Sequence, residues 1–306
     1  MSFITDDFAR VTVALHGEAG RLWLSGLPAL VEECAARWSL EVGPPFAPLS
    51  YNYAAPAEGP GGERLVLKLG VPAPELIREA EALRVFAGRG AARLVDSDAG
   101  CGALLLERLE PGTQLAALCE ADDEAATAAA ASVMRNLRRA APDAHNFPTA
   151  GDWGRGFARC RAYFGGGCGP FPRRLFEEAE TLFAELLASS AAPVVLHGDL
   201  HHGNVLASAR GPWLAVDPKG LVGEPAYEVG ALLRNPLPQL LTLPRPVRVT
   251  ERRIARLSED LGLERARVRG WALAQVVLSA WWSIEDGGEP DESDLAVAEI
   301  IAAART

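Results

Sequence analysis

The 306-residue chain reads as an α+β protein of two lobes, the first rich in strands and the second mainly helical. Short apolar runs bounded by Gly, Pro and Asp fill residues 46 to 107, the pattern of strands and turns. From residue 122 onward the apolar spacing becomes helical. Glu110-Pro111-Gly112 interrupts both patterns, which sets the lobes at 1–109 and 110–306.

Residues 1 to about 40 read as helix, with Leu30, Val31, Cys34, Ala35 and Trp38 on one face and Gly43-Pro44-Pro45 as the stop. Strands are expected at Phe46–Tyr53 and Arg64–Leu69, joined by the loop Ala57–Gly62. Pro74 begins a helix, Glu75–Phe86, ended by Gly88 and Gly90. Ala92–Val95 and Ala103–Glu107 follow as strands around an Asp/Gly-rich turn. In the second lobe, Asp122 and Asp123 can cap an Ala-rich helix reaching Arg139. After the Gly165-Gly166-Gly167 loop, Arg173–Ala188 forms an amphipathic helix. Val194–Leu196, Val205-Leu206 and Trp213–Val216 are short strands around a polar loop. Helices fill the rest from Glu228, with a Pro-rich break at 236–246.

Composition narrows the function classes. A net charge of −10 opposes nucleic-acid backbones and favours a cationic small molecule as partner. Five cysteines without a CxxC pair argue against a disulfide framework or a zinc ribbon. The first thirty residues lack a basic segment followed by an apolar core, and Trp271–Ile284 is too short to span a bilayer. A cytoplasmic protein with no membrane partner is therefore expected. Of the 30 basic residues only Lys68 and Lys219 are lysine. In a chain so biased towards Arg, these two mark positions where a compact ammonium is wanted and a guanidinium fork would not fit.

The densest polar cluster is His197-Gly198-Asp199-Leu200-His201-His202-Gly203-Asn204, bracketed by apolar runs. Buried strands hold such a loop while its side chains face a cleft. Asp217 follows thirteen residues after Asn204, at the end of the strand Leu214-Ala215-Val216. Hard oxygen donors on neighbouring strand ends suit magnesium, with Asp199 close by. Phosphoryl transfer needs cations to neutralise the phosphoryl oxygens and a separate carboxylate to orient the attacking hydroxyl. A zinc cluster of His197, His201, His202 and Asp199 is the rival, but no cysteine pair or helical HxxxH supports it.

This loop, followed by a strand-end Asp, resembles the catalytic loop and metal-binding Asp of the protein-kinase superfamily. In its His-Gly-Asp-x-x-x-Gly-Asn form it resembles the aminoglycoside phosphotransferase branch. Asp217–Glu228, Glu79–Arg84 and Leu104–Arg108 are similar to the streptomycin 6-kinase and hydroxyurea-resistance kinase group, and the likeness covers roughly residues 20 to 290. The resemblance implies a bilobal protein-kinase-like fold, ATP (or GTP) with Mg2+ as cofactors, and transfer to a hydroxyl of an aminoglycoside-type antibiotic, streptomycin foremost. By position it implies Asp199 as catalytic base and Asn204 and Asp217 as magnesium ligands. His197 would support the loop, and His201 would stand where protein kinases often carry a lysine on the γ-phosphate. It further implies Lys68 on the α- and β-phosphates, with Glu79 as its partner ahead of Glu81 or Glu75. Backbone groups of Glu107-Arg108-Leu109 would pair with adenine.

The departures are specific. No Gly-rich loop precedes Lys68, so Ser50 or Asn52 would cradle the phosphates. Pro218-Lys219 replaces the Phe-Gly of protein kinases, and Glu228 stands where the wider branch usually has Asp. A guanidinium-bearing substrate calls for carboxylates and ring faces on the helical lobe, for which Asp152, Glu285, Asp286 and Trp282 are the candidates. Trp271, Trp281 and Trp282 read first as helix core. The same chemistry on hydroxyurea, another antibiotic or an amino-alcohol metabolite is the alternative. A nucleotide-binding pseudokinase is the reading of another class, against which Lys68, Asp199, Asn204 and Asp217 together weigh.

Overall fold

A computed structural model describes residues 4–289 and 292–306. The chain divides into two compact units, one running to Gly88 and including Ala92–Glu110, the other comprising Arg89–Ala91 and Pro111–Thr306.

The first unit contains helix α1 (Asp6–Trp38), strands β1 (Glu41–Val42), β2 (Tyr53–Glu58) and β3 (Arg64–Leu69), helix α2 (Pro74–Phe86), and strands β4 (Leu94–Asp98) and β5 (Ala103–Glu107). The strands form one antiparallel sheet in the order β1-β2-β3-β5-β4. Alternation along β3 sends Leu65, Leu67 and Leu69 to one face, where they join Phe8, Leu27 and Cys34 of α1 in the core. Lys68 consequently projects from the opposite face. The expected strand Phe46–Tyr53 does not form. Pro48 removes an N–H donor from that stretch, and ladder pairing begins only at Tyr53, opposite Leu69.

The second unit contains, in order, β6 (Pro111–Gln114), α3 (Leu115–Ala121), α4 (Asp123–Leu137), β7 (Arg139–Ala140), α5 (Ala150–Tyr163), α6 (Arg173–Ala188), β8 (Val194–Leu196), β9 (Val205–Ser208), β10 (Trp213–Ala215) and β11 (Leu221–Gly223). It ends with α7 (Val229–Leu233), α8 (Gln239–Thr242), α9 (Pro246–Leu261), α10 (Arg265–Glu285) and α11 (Glu292–Ala303). Its strands make two small antiparallel sheets, β10-β9-β6 and β11-β8-β7, so the chain crosses from one to the other through residues 197–204. Pro111, expected only as a break, is the first residue of β6, where a missing N–H is tolerated.

Asp122 caps α4, its Oδ1 accepting the Ala125 N–H at 2.9 Å. The helix stops at Leu137 because Arg139-Ala140 leaves to pair with β8. Helix α5 escapes the sequence reading because Gly151, Gly154 and Gly156 dilute its pattern. Two of them are needed for packing: a β-carbon would lie 2.1 Å from Phe183 at position 154 and 2.8 Å from Leu278 at position 156. Helix α10 forms the centre of this unit, with Trp271 through Leu278 buried and the Trp271 indole N–H donated to Glu224. Among the described residues no helix is long and apolar enough to cross a membrane.

Arg253 of α9, 1% exposed, meets Asp123 at the start of α4 and donates to the Asn235 carbonyl at 2.7 Å. Burial alone would raise the Asp123 carboxyl, but hydrogen bonds from Arg253 and Arg252 hold it below its ordinary range. A depressed folded-state pKa means this contribution is complete above the ordinary carboxylate range and fades as pH falls through the folded value. Asp123→Ala leaves the guanidinium buried and unpaired, so denaturant unfolding near neutral pH should show a loss of about 3–5 kcal/mol.

Candidate active site

Loop 197–204 is held by its own backbone and by one acid. His197, fully buried, donates Nε2–H to the Val216 carbonyl at 2.7 Å and accepts the Asp199 N–H on Nδ1 at 3.3 Å. Burial lowers its pKa to about 4, so the ring is neutral and one tautomer satisfies both bonds. Glu228 accepts the N–H groups of His197 at 2.6 Å and Gly198 at 2.9 Å. The carbonyl of His197 accepts from Lys219 at 2.8 Å and Gly220 at 3.3 Å. Gly198 has φ +83°, which calls for glycine, and a β-carbon there would sit a tight 3.2 Å from the Trp153 ring.

Asp199 emerges from this frame with Oδ1 accepting from Arg234 at 3.1 Å. Its Oδ2 lies 3.8 Å from His201 Nε2. Burial works to raise the Asp199 carboxyl, but His201, Arg234, His197 and Lys219 outweigh it and keep the group ionised below its ordinary range. His201 accepts the Gly203 N–H on Nδ1 at 3.0 Å, which leaves Nε2 as the protonated nitrogen. Burial lowers the His201 pKa, so this ring is neutral near pH 7 and faces Asp199.

The hairpin β9–β10 pairs Val205 with Ala215, and its next rung joins Val216 N–H to the Asn204 carbonyl at 2.9 Å. Asn204 and Asp217 are thereby held at adjacent strand ends. Asn204 donates Nδ2–H to the Asp199 carbonyl at 3.0 Å, which leaves its amide oxygen as a donor atom for a cation. Asp217 is exposed and adopts φ 59°, a left-handed conformation that costs a non-glycine residue about 1–3 kcal/mol. A carboxylate and a carboxamide oxygen form a hard donor set that fits magnesium.

In the first unit, Lys68 of β3 meets both oxygens of Glu79 of α2, at 2.7 and 2.8 Å, with both side chains buried. Glu75 pairs with Arg78 instead. Ser50 is exposed on the irregular stretch before β2. Glu107 accepts the Arg93 N–H on its carboxylate at 3.0 Å, and Leu109 is buried.

The substrate candidates divide. Asp152 occupies the third position of α5, where Oδ2 accepts the Thr149 N–H at 2.7 Å and hydroxyl at 2.8 Å while Oδ1 pairs with Arg155. Glu285 is forked onto Arg159. Both carboxylates therefore already carry partners, Asp152 in the cap of α5 and Glu285 in an ion pair. Asp286 is exposed at the end of α10. Trp282 packs edge-on against Trp153 at 5.3 Å, and Trp153 in turn touches the Gly198 backbone position. Trp153 and Arg234 were not legible beforehand: each lies far from loop 197–204 in sequence and gains its place through packing of α5 and α7.

Complete burial pushes the Glu228 carboxyl up to about 7, against the two N–H groups that favour its charged form. The folded chain therefore keeps a proton that the unfolded chain releases near pH 4.5, and stability should fall as pH rises from about 4.5 to about 7, then level off. Denaturant unfolding across this window should show that slope in the parent protein and lose it in Glu228→Gln.

The family described as aminoglycoside/hydroxyurea antibiotic resistance kinase matches residues 55–287. Streptomycin 6-kinase of Streptomyces glaucescens is 36% identical over 285 residues, spanning 93% of this chain and 92% of that protein. Hydroxyurea phosphotransferase of Kitasatospora aureofaciens is 36% identical over 301 residues, spanning 97% and 85%. Among solved structures, an aminoglycoside phosphotransferase in ternary complex with ADP and hygromycin B superposes with a TM-score of 0.63 at 17% identity, covering 90% of this chain and 99% of that one. A choline kinase from Streptococcus pneumoniae gives 0.62 at 13% identity, covering 91% and 99%. With the family spanning most of its length and the kinase-like fold shared with these structures, the chain belongs to the aminoglycoside/hydroxyurea antibiotic resistance kinases and is a phosphotransferase.

Proposed function

We propose that this kinase transfers the γ-phosphoryl group of ATP to a hydroxyl of streptomycin and so inactivates the antibiotic. The observation that carries the reading is the intact set Asp199, Asn204 and Asp217 on one loop and hairpin, in a chain 36% identical to a streptomycin 6-kinase. Because Arg234 occupies Oδ1 of Asp199, Oδ2 is the oxygen left to accept the substrate hydroxyl proton. That hydroxyl oxygen bonds to phosphorus as the bond from phosphorus to the ADP oxygen breaks. Asn204 and Asp217 would hold Mg2+, which when bound neutralises charge on the β- and γ-phosphate oxygens.

Lys68, its ammonium fixed by Glu79, is assigned to the α- and β-phosphates, and Ser50 to phosphate contact from its irregular stretch. The N–H groups of Glu107 and Arg108 already donate to Arg93 and Arg64, so the Leu109 N–H is the donor left for adenine in that segment. The net charge of −10, the ring faces of Trp153 and Trp282, and the exposed Asp286 suit a cationic acceptor. Hydroxyurea is the second reading, favoured by the hydroxyurea phosphotransferase relative.

ADP release with streptomycin and with hydroxyurea separates the two. Streptomycin-dependent turnover is expected. Turnover with hydroxyurea alone moves the assignment to the second reading, and nucleotide binding without any turnover makes the chain a pseudokinase. Asp199→Asn should lower kcat by about 10²–10⁴ while nucleotide affinity is kept. Asp217→Ala should instead weaken nucleotide binding in the presence of magnesium. Unaltered turnover in either variant removes the role given to that residue.

A further inference from the structure

The transferring phosphoryl group spreads negative charge over its oxygens beside Asp199, and a cation there stabilises the transition state. His201 stands two residues after the base, but its ring accepts from Gly203 and faces Asp199 with no positive charge to offer near pH 7. Arg234 carries charge, yet its guanidinium is divided between Asp199 Oδ1 and the Ser279 hydroxyl.

Lys219 remains. It lies on the turn Asp217-Pro218-Lys219-Gly220, and both Lys219 and Gly220 donate their N–H groups to the His197 carbonyl, at 2.8 and 3.3 Å. Its Cβ lies 3.4 Å from where a β-carbon on Gly198 would stand, directly before the base. Its charge acts on both Asp199 and His201. The side chain is exposed, and among the described residues its ammonium makes no hydrogen bond or ion pair. This is one of only two lysines in a chain whose other basic residues are all arginine. A flexible stem with a compact, rotatable ammonium can follow a moving phosphoryl group.

We propose that Lys219 is a further catalytic residue, whose ammonium contacts the γ-phosphoryl oxygens as they transfer from nucleotide to acceptor. The assignment rests on the kinase reading above but not on the identity of the acceptor. No bond is made or broken at Lys219; its proton count is unchanged through the step.

The test compares Lys219→Met and Lys219→Arg with the parent protein, reading kcat for transfer, basal ATP hydrolysis, equilibrium binding of ADP with magnesium, and Tm. Lys219→Met is expected to lose about 10²–10³ in kcat with Tm and nucleotide affinity kept, the size of loss for one transition-state donor. Lys219→Arg should fall between the two. In Lys219→Ala, added ethylammonium should restore part of the rate, a response that a structural role would not give. Lys219→Met turning over like the parent overturns the proposal, as does a loss of nucleotide affinity equal to the loss of rate. If the parent hydrolyses ATP but phosphorylates neither streptomycin nor hydroxyurea, the acceptor assignment falls, and the same comparison is read on hydrolysis. Absence of any parent turnover overturns the kinase reading and this proposal together.

Discussion

The Glu228 carboxylate accepts the N–H groups of both His197 and Gly198, and the direction in which Asp199 points follows from that arrangement. Buried backbone donors must find acceptors, and the sharp left-handed turn at Gly198 turns these two away from the sheets. Glu228 enters from the short turn before α7, so a residue far along the chain closes the loop from below. The remaining polar atoms of His197 are also occupied, its carbonyl by Lys219 and Gly220 and its ring by Val216 and Asp199. With the polar groups of His197 satisfied, the start of the loop is held in one arrangement, and the direction of Asp199 is set before any ligand arrives.

The charged residues divide by shape. Arginine serves where a fork bridges two elements: Arg253 to Asp123, Arg267 to Glu224, and Arg161 to Glu180. Arg267, for example, reaches Glu224, Ser189 and the Leu186 carbonyl at once, tying α10 to α6. With two bonds to Glu224 this makes four, more than the three donors of an ammonium and within the five of a guanidinium. Lys68 has the opposite task. Its ammonium sits between the two oxygens of Glu79 on the sheet face away from α1, where the compact group fits beside the packed α2.

Helix α10 links the core of the second unit to the chemistry. Its middle is fully buried, with Trp271 against Tyr227 and Phe183, while its last turns connect to loop 197–204 through Arg234 and Trp153. Ser279 holds Arg234, and Trp282 packs on Trp153, which lies against Gly198. The same element that stabilises the fold therefore bounds the space beside Asp199.

Much of the candidate site was legible because its residues lie close to one another in sequence. Asp199 and Asn204 share one loop, Asp217 ends the strand that must pair back on β9, and Lys68 with Glu79 lies on a strand and the helix that follows it. Strand β3 and the N-cap of α4 could be read for the same reason: both are set by residues a few positions apart. Helix α5 was hidden because its glycines are explained only by Phe183 and Leu278, residues of two other helices. Asp152 and Glu285 looked available because Thr149, Arg155 and Arg159 claim them only after α5 and α10 have formed and packed. The sequence by itself determined the α+β division, the loop and its oxygen donors, through short-range pattern and spacing. The tertiary structure alone decided that Arg234 takes one oxygen of Asp199, that Glu228 holds the loop and that Trp153 flanks it, because those contacts join segments whose proximity no local periodicity encodes.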